Sequence, residues 1–375
     1  MQRKVLFVAN IHKHIRAFHI PYIQYLQNQG CEVHVAANDG ETRVDEADKQ
    51  FDISIDRNPF SFNNLRAIKE LKNIINQENY CLIHCHTAMG SVVARLAAKS
   101  FRKQGLKVLY TAHGFHFYKG SPKKYWLLYF PMEKYLSRYT DGIITINRED
   151  FDLLESRSFQ NTSSFLINGV GVEQKDFHPI PTEEKQALRK QLGYSNEEFI
   201  LVYAAEYIHR KNHAFILDAA VMLKTQIPNL KILFAGRGLL FEEVKSSIKE
   251  QGLKDTIRQL GFRTDIDKIY KLSDIGISSS RQEGLGLNLV EEMMCGLPVV
   301  ATIDRGHKEV IDHNINGFLF EQNNQEQFQE YILKLYKDKN LATTMGLAAQ
   351  EKAKRFELSN CMKEMAKIYK EFLPE

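Results

Sequence analysis

The sequence predicts an α/β protein made of two Rossmann-like domains, each built on a parallel sheet. Short runs rich in β-branched and aromatic residues alternate with longer segments of helical periodicity along the 375 residues, as in parallel strands joined by crossover helices. This alternation of strand-like and helix-like segments is interrupted once, between Phe177 and Glu198, and a new series of strands and helices then begins. A chain of this length with 43% apolar residues also exceeds one ordinary core.

Nine apolar runs are predicted as strands. In chain order they are Val5–Ala9, Glu32–Ala37, Leu82–Cys85, Lys107–Thr111, Gly142–Ile146, Phe199–Ala205, Lys231–Ala235, Asp274–Ser278 and Pro298–Thr302. Among the helices, apolar periodicity is clearest over 287–294, and the amphipathic segment Leu358–Phe372 forms the last one. Open parallel sheets bind ligands at the carboxyl ends of their strands, so functional residues are expected just after these runs.

Composition narrows the class of protein. The net charge of +4 is too weak to indicate nucleic acid, although it suits an anionic substrate or a membrane surface. The five cysteines are odd in number and scattered through apolar segments, as expected of reduced thiols in the cytoplasm. The chain passes from Met1 almost directly into a strand and contains no run of about 18 apolar residues, so we expect neither a signal peptide nor a membrane span.

The most informative segment is Glu-Gly-Leu-Gly-Leu-Asn-Leu-Val-Glu at 283–291. It follows a predicted strand and opens a predicted helix, and its glycines allow a ligand to approach the backbone closely. The first amides of such a helix favour an anion such as a diphosphate. Glu283 would lie at the rim of this turn, with Glu291 inside the helix where it can accept hydrogen bonds from ribose hydroxyls.

This segment, with the Gly-Leu-Pro-Val-Val that follows at 296–300, resembles the E-x7-E segment of family 4 retaining glycosyltransferases, which have the GT-B fold. The resemblance implies two Rossmann-like domains whose sheets face one another across a cleft. Residues 1–177 would bind the acceptor, and a C-terminal helix at 357–375 would pack back on that domain. Residues 178–356 would bind a nucleotide sugar.

The resemblance also implies roles for individual residues of the second domain. Arg210 and Lys211 match cations that hold the donor diphosphate, although the Gly-Arg frequent in the family is replaced here by Ala205-Glu206. Glu283 is expected near the sugar hydroxyls and Glu291 on the ribose. The remaining donor-binding residues are expected to be Gly284, Leu285, Gly286 and Leu287 at the diphosphate, with Gly236, Arg237, Phe262 and Arg263 near the nucleotide.

In the first domain, His113 matches the family histidine that contacts the donor sugar near its C6 hydroxyl. The stretch Gly114–Pro122 is similar to enzymes that assemble bacterial capsule and exopolysaccharide. The loop after the first strand has no glycine, which excludes a G-x-G-x-x-G dinucleotide fingerprint and departs from many family members. The basic loop from His12 to Arg16 either binds the phosphate of the acceptor or is simply solvated. The residues expected to bind the acceptor are His12, His14, Arg16, His116 and Lys119.

A metal site is not expected. His84, His86, His113 and His116 have no carboxylate partner at a ligand spacing, and Asp265-Ile-Asp267 fits the first turn of a helix. The cations Arg210 and Lys211 would stabilise the leaving diphosphate in place of a divalent metal. We therefore predict no cofactor beyond the nucleotide-sugar substrate.

Residues 119–130 combine lysines with aromatic and apolar side chains, which fits either core packing or contact with an anionic membrane. The prediction is a cytoplasmic enzyme, peripheral on the inner face of the cell membrane where its acceptor is lipid-linked. It would transfer a sugar with retention from a UDP-sugar to an acceptor linked to a lipid diphosphate such as undecaprenyl diphosphate. Two alternatives stay open: a UDP-sugar 2-epimerase of the same fold, and a non-catalytic protein that binds sugar nucleotides.

Overall fold

The computed structural model describes residues 2–374, and the chain divides into two compact units. The first unit comprises Met1–Val170 together with Ser359–Glu375, and the second comprises Gly171–Leu358. Each unit contains a parallel sheet with helices between most successive strands, so the expected pair of Rossmann-like domains is confirmed. That the first unit binds the acceptor and the second the donor stays a prediction.

Within residues 2–374, the sheet of the first unit has seven strands in the order β3-β2-β1-β4-β5-β6-β7. They are β1 Arg3–Ile11, β2 Cys31–Asn38, β3 Lys49–Asp52, β4 Leu82–His86, β5 Lys107–Ala112, β6 Gly142–Thr145 and β7 Ser163–Leu166. Side chains such as Leu6, Ile83 and Val108 are fully or almost fully buried in the core of this unit. Because the strand order reverses between β1 and β4, the crevice at their carboxyl ends is the expected ligand position.

The helices of the first unit connect these strands. They are α1 His12–Phe18, α2 Ile20–Asn28, α3 Asn63–Glu78, α4 Ala88–Ala98, α5 Lys123–Ser137 and α6 Arg148–Ser156. The start of α4 packs closely on β1, because a Cβ at Gly90 would lie 2.9 Å from the backbone of Ala9. Only glycine therefore allows this approach.

The second unit repeats the arrangement with six strands among the described residues, in the order β10-β9-β8-β11-β12-β13. The strands are β8 Phe199–Ala204, β9 Leu230–Ala235, β10 Ile257–Gly261, β11 Ile275–Ser278, β12 Val299–Thr302 and β13 Gly317–Phe320. The helices are α7 Thr182–Gln191, α8 His213–Gln226, α9 Phe241–Glu250, α10 Ile266–Leu272, α11 Leu287–Met294, α12 Arg305–Val310, α13 Gln325–Lys337 and α14 Lys339–Ala353. The order reverses between β8 and β11, which defines a second crevice.

The last helix, α15 Leu358–Phe372, belongs almost entirely to the first unit. The Tyr369 hydroxyl lies 2.8 Å from Nδ1 of the buried His84, and Phe372 packs edge-on against Phe165 of β7. Glu364 accepts a hydrogen bond of 2.9 Å from the backbone N–H of Asn168. Helix α15 thus completes the core of the first unit.

Two further findings bear on the sequence analysis. The nine predicted strands all form, and the four strands that it missed, β3, β7, β10 and β13, are the edge strands of the two sheets. Within residues 2–374, no helix combines the length and the apolar character needed to cross a bilayer.

Candidate active site

The crevice of the second unit lies where β8 and β11 run side by side. The chain leaves β8 through a short 3₁₀ turn, His209–Lys211, which carries Arg210 and Lys211. It leaves β11 through a loop that carries Glu283 and then enters α11. The two loops are joined by a hydrogen bond of 2.8 Å from the Arg281 N–H to the Arg210 carbonyl, so the topology brings the predicted cations and the predicted carboxylate together.

Glu283 binds both cations. Its Oε2 lies 3.1 Å from Nη1 of Arg210, and its Oε1 accepts a hydrogen bond from Nζ of Lys211. Arg210 also donates to the Gln282 carbonyl at 2.7 Å, which directs its guanidinium towards this loop. The three residues that sequence reasoning placed nearest the chemistry therefore form one charged cluster.

The two cations of this cluster keep Glu283 ionised. Burial disfavours the ionised form of Glu283, but the positive charges of Lys211 and Arg210 more than offset it and lower the pKa of Glu283 to about 2. The carboxylate is therefore charged at any physiological pH. A ligand diphosphate entering here would compete with Glu283 for the same two cations, so the cluster is suited to exchange one anion for another.

The turn that starts α11 requires glycine. Gly286 has φ +96°, and a Cβ there would lie 3.2 Å from Cδ2 of His307. A Cβ on Gly306, in the neighbouring α12, would lie 2.7 Å from the backbone nitrogen of Leu285. In the described chain no side chain caps the N-terminus of α11, which leaves its first amides to an anion.

Glu291 lies one turn inside α11, where its Oε2 accepts a hydrogen bond of 2.9 Å from the Tyr270 hydroxyl. Burial raises the pKa of Glu291 to about 7, although the Tyr270 hydrogen bond acts in the opposite direction. The neighbouring Glu292 is fully buried, and burial followed by the charge of Glu291 raises its pKa well above the ordinary value. Unlike Glu283, Glu291 therefore changes its charge near neutral pH.

The other predicted nucleotide-binding residues fall on two adjacent loops of the same unit. The Arg237 guanidinium lies 5.8 Å from the centroid of the Phe262 ring, which is 61% exposed, and Arg263 pairs with Asp265 at 2.7 Å. A Cβ at Gly236 would lie 2.0 Å from the Ala205 carbonyl oxygen, so this glycine is required by the packing of two turns. Contact of these residues with a nucleotide stays a prediction.

Sequence reasoning missed the loop after β12. Asp304 accepts hydrogen bonds from the backbone N–H groups of Glu283 at 3.0 Å and Gly306 at 2.8 Å, and so fixes the Glu283 loop. His307 is fully buried, its Nδ1 lies 2.8 Å from the Thr302 carbonyl, and its Nε2 has no partner among the described residues. The available signal was the polar run Asp-Arg-Gly-His at 304–307, which begins two residues after the end of a predicted strand.

The predicted residues of the first unit separate into two groups. His113 and His116 line a cavity of about 210 Å³ together with Tyr129, and the His14 ring lies 5.0 Å from that of His113. The other three are apart from this cavity. His12 is buried with its Nε2 2.9 Å from Asp52, Arg16 is exposed on the last turn of α1, and exposed Lys119 donates its N–H to Glu149.

Comparisons with known proteins agree with this arrangement. The family model described as "Glycosyl transferases group 1" matches residues 184–352, and that described as "Glycosyl transferase 4-like" matches residues 4–147. EpsD of Bacillus subtilis (strain 168), named as a glycosyltransferase, is 41% identical over 373 residues, covering 100% of this chain and 98% of its own.

A more distant relative is the UDP-Gal:alpha-D-GlcNAc-diphosphoundecaprenol alpha-1,3-galactosyltransferase of Escherichia coli, 26% identical over 288 residues, with 74% of this chain and 73% of its own covered. The crystal structure of Anabaena Alr3699/HepE in complex with UDP-glucose superposes with a TM-score of 0.80 at 19% identity, covering 98% and 99% of the two chains, which shows a shared fold. The chain therefore belongs to the family 4 glycosyltransferases of GT-B fold.

Proposed function

We propose that this glycosyltransferase moves a sugar from a UDP-sugar to a hydroxyl of an acceptor sugar carried on a lipid diphosphate, with retention of configuration. The observation that carries the proposal is the cluster of Glu283, Arg210 and Lys211 beside the N-terminus of α11. Two cations and a helix N-terminus are suited to a diphosphate, and a carboxylate beside them is suited to sugar hydroxyls. Cell-surface polysaccharide assembly is the process that fits.

In the proposed reaction, Arg210 and Lys211 hold the donor diphosphate and stabilise the negative charge that grows on it as its bond to the sugar breaks. Because these side chains supply two positive charges, we propose that transfer needs no divalent metal. Glu283, released from the cations by the incoming diphosphate, accepts hydrogen bonds from the sugar. Glu291 holds the ribose and His113 contacts the sugar near C6.

The acceptor hydroxyl would attack the anomeric carbon from the face that the diphosphate leaves. The bond from carbon to the acceptor oxygen forms while the bond to the phosphate oxygen breaks, and the acceptor proton passes to that phosphate oxygen. UDP then leaves with the proton and the configuration is retained. An inverted linkage in the product, determined by NMR of the purified saccharide, would exclude this mechanism.

Two observations support the acceptor class. The Escherichia coli relative carries a lipid diphosphate acceptor in its name, and the cavity beside His113 presents His116 and Tyr129, whose rings lie 4.7 Å apart. Aromatic faces with a nearby hydrogen-bonding group suit a sugar ring. We therefore propose this cavity as the acceptor subsite and expect His116→Ala to raise the KM for the acceptor while leaving the KM for the donor unchanged.

Helix α5 supplies a surface that fits a membrane. Its Trp126 and Phe130 pack against the core, whereas Leu127 and Leu128 are 79% and 41% exposed. The same solvent-facing side carries Lys123 and Lys124. An exposed apolar and basic stripe of this kind favours an anionic bilayer, so we propose that α5 holds the enzyme against the membrane that contains its acceptor.

The transfer experiment measures UDP release from a panel of UDP-sugars, with and without an acceptor sugar on a lipid diphosphate. We expect one donor to give acceptor-dependent release that is lost in Glu283→Ala and Lys211→Ala but kept in Glu242→Ala, an exposed glutamate that pairs with Lys245. Isomerisation of the donor without acceptor would identify an epimerase instead. Binding without any turnover would identify a non-catalytic protein, and loss of activity on adding EDTA would refute metal independence.

The membrane experiment is sedimentation with vesicles of phosphatidylcholine, with and without phosphatidylglycerol. Binding should require the anionic lipid and should be lost when Leu127 and Leu128 are both replaced by aspartate. The matched control is Leu347→Asp, which changes a leucine that is 64% exposed in the second unit. Equal binding of all three proteins would refute a role for α5.

A further inference from the structure

Histidine side chains gather at the carboxyl ends of three strands in the first unit. His14 lies on α1 and His19 at its end, after β1, while His86 ends β4 and His113 follows β5. The His19 and His86 rings stack with centroids 3.8 Å apart, and the His14 ring meets that of His113 edge-on at 5.0 Å. The donor and acceptor roles proposed above use only His113 of this cluster.

Three of these rings have the geometry of a metal-ligand set. One ring nitrogen from each of His14, His19 and His113 lies within 4.8 Å of the other two. The Nε2 atoms of His14 and His19 are 3.3 Å apart. Two nitrogen ligands bound to tetrahedral Zn²⁺ at about 2.0–2.1 Å are separated by about 3.3–3.4 Å, so the spacing of this pair matches that of two ligands of one ion.

The fourth histidine packs against this set. His86 is almost fully buried, its Nδ1 lies 3.4 Å from Nε2 of His113, and its ring stacks on that of His19. Its own Nε2 has no hydrogen-bond partner among the described residues.

The donor atoms of the cluster select the type of ion. Neutral imidazole is the form that binds metal. With three nitrogen ligands and no carboxylate in the set, the site suits Zn²⁺, Cu²⁺ or Ni²⁺ and not the oxygen-seeking Mg²⁺ or Ca²⁺.

We propose that His14, His19 and His113 form a binding site for one transition-metal ion of the Zn²⁺ class, and that the bound ion inhibits transfer. The ion engages a nitrogen of His113, which is then no longer available to a sugar hydroxyl. The binding site stands on the geometry of the three rings alone, whereas the inhibition rests on the proposed function. The metal would then be a reversible inhibitor and not a cofactor.

Binding is tested with chelator-stripped protein that carries no histidine tag, titrated with Co²⁺ and followed by visible absorption. A tetrahedral site gives intense bands that saturate at one ion per chain and disappear when Zn²⁺ is added. We expect His14→Ala and His19→Ala to weaken binding by at least about tenfold, since losing even an outer partner typically costs about 10–100-fold. The control His178→Ala changes an exposed histidine of the second unit and should bind as the wild type does.

His19 is buried, so thermal unfolding followed by circular dichroism must first show that its variant is folded; His14 is partly exposed and provides the second test. Weak Co²⁺ spectra that do not saturate, or equal binding by all variants, would overturn the site. Zn²⁺ that occupies the site without slowing UDP release would overturn the inhibition. Transferase activity absent even in metal-free protein would refute the proposed function instead, while leaving the Co²⁺ result intact.

Discussion

The pH dependence of donor binding tests whether the ionised carboxyl group of Glu291 holds the donor. The pKa of Glu291 is raised to about 7. To accept hydrogen bonds from both ribose hydroxyls, its carboxyl group must be ionised. Binding of a UDP-sugar should therefore strengthen as pH rises through 7 and should release a proton. The perturbation that isolates this effect is Glu291→Gln, which keeps the size of the side chain and removes its titration.

The expected size follows from the pKa. At pH 8 about nine tenths of Glu291 is ionised, and at pH 6 about one tenth, so affinity should fall about tenfold between them, or about 1.4 kcal/mol. Glu291→Gln should show no such slope. At pH 8 it should bind about 10–100-fold more weakly, because hydrogen bonds to a charged acceptor contribute about 1.5–3 kcal/mol.

The assay is isothermal titration of the productive UDP-sugar into the enzyme at pH 6, 7 and 8, in buffers of different ionisation enthalpy. A UDP-sugar is preferable to UDP because the terminal phosphate of UDP itself titrates in this range. Tyr270→Phe is an internal control. It removes the hydrogen bond that opposes the upward shift in the pKa of Glu291, so the same profile should move to higher pH.

Two groups that face Glu291, Cys295 on its own helix and Tyr270 on α10, cannot produce the same pH dependence. Burial raises the pKa of Cys295 to about 12 and that of Tyr270 well above 10, so neither changes charge between pH 6 and 8. The pKa of Glu292 is also raised, by burial and then by the charge of Glu291, so this carboxyl group contributes to the transition where it titrates. A wild-type affinity that is flat across this range, or an unchanged slope in Glu291→Gln, would refute the assignment of Glu291 to the ribose.

Three further predictions concern charge and packing. Lys211→Met should lower kcat by about 10²–10³, measured as UDP release, because it removes half of the charge that stabilises the leaving diphosphate. Gly306→Ala should lower kcat/KM without loss of circular dichroism signal, since the new methyl group displaces the Glu283 loop through Leu285. Glu133→Gln should cost about 3–5 kcal/mol in urea unfolding, because buried Arg95 loses the carboxylate 2.8 Å from its Nη2.

Each has a matched control. Lys245→Met removes an exposed lysine and should keep full activity, and Gly40→Ala adds a methyl group whose nearest neighbour is 3.4 Å away. Replacing Arg95 by methionine together with Glu133 by leucine should recover most of the lost stability, since no charge is then buried alone. Loss of activity in Lys245→Met or Gly40→Ala, or a double variant as unstable as Glu133→Gln, would contradict the corresponding prediction. So would full activity in Lys211→Met or Gly306→Ala, or unchanged stability in Glu133→Gln.

The strands show what the sequence can and cannot indicate. Central strands such as β1 and β8 are covered on both faces, so they appear as continuous apolar runs that were recognised. The edge strand β3 reads Lys-Gln-Phe-Asp and β7 reads Ser-Ser-Phe-Leu, and neither has a fully buried residue. β13 is mostly buried and was nevertheless not recognised. Edge pairing is decided by the neighbouring strand and not by local pattern.

The sequence likewise predicts some features of the candidate site and not others. Helix α11 begins and ends at the residues expected from its periodicity, and Glu283 meets Arg210 and Lys211 because both loops follow strands that the topology makes adjacent. The contact of Asp304 with the Glu283 backbone could not be predicted, because it depends on a loop geometry that no periodic pattern encodes. The raised pKa of Glu291 likewise depends on burial, which the local sequence does not show.

The position of α15 has a consequence for the order in which the protein can fold during synthesis. The second unit is continuous in sequence and can close as soon as it leaves the ribosome. The first unit must wait for Tyr369 and Phe372 while residues 171–358 are made, a delay of about 10–40 s at usual elongation rates. During that interval the face that α15 covers is exposed, which leaves the first unit open to aggregation until the chain is complete.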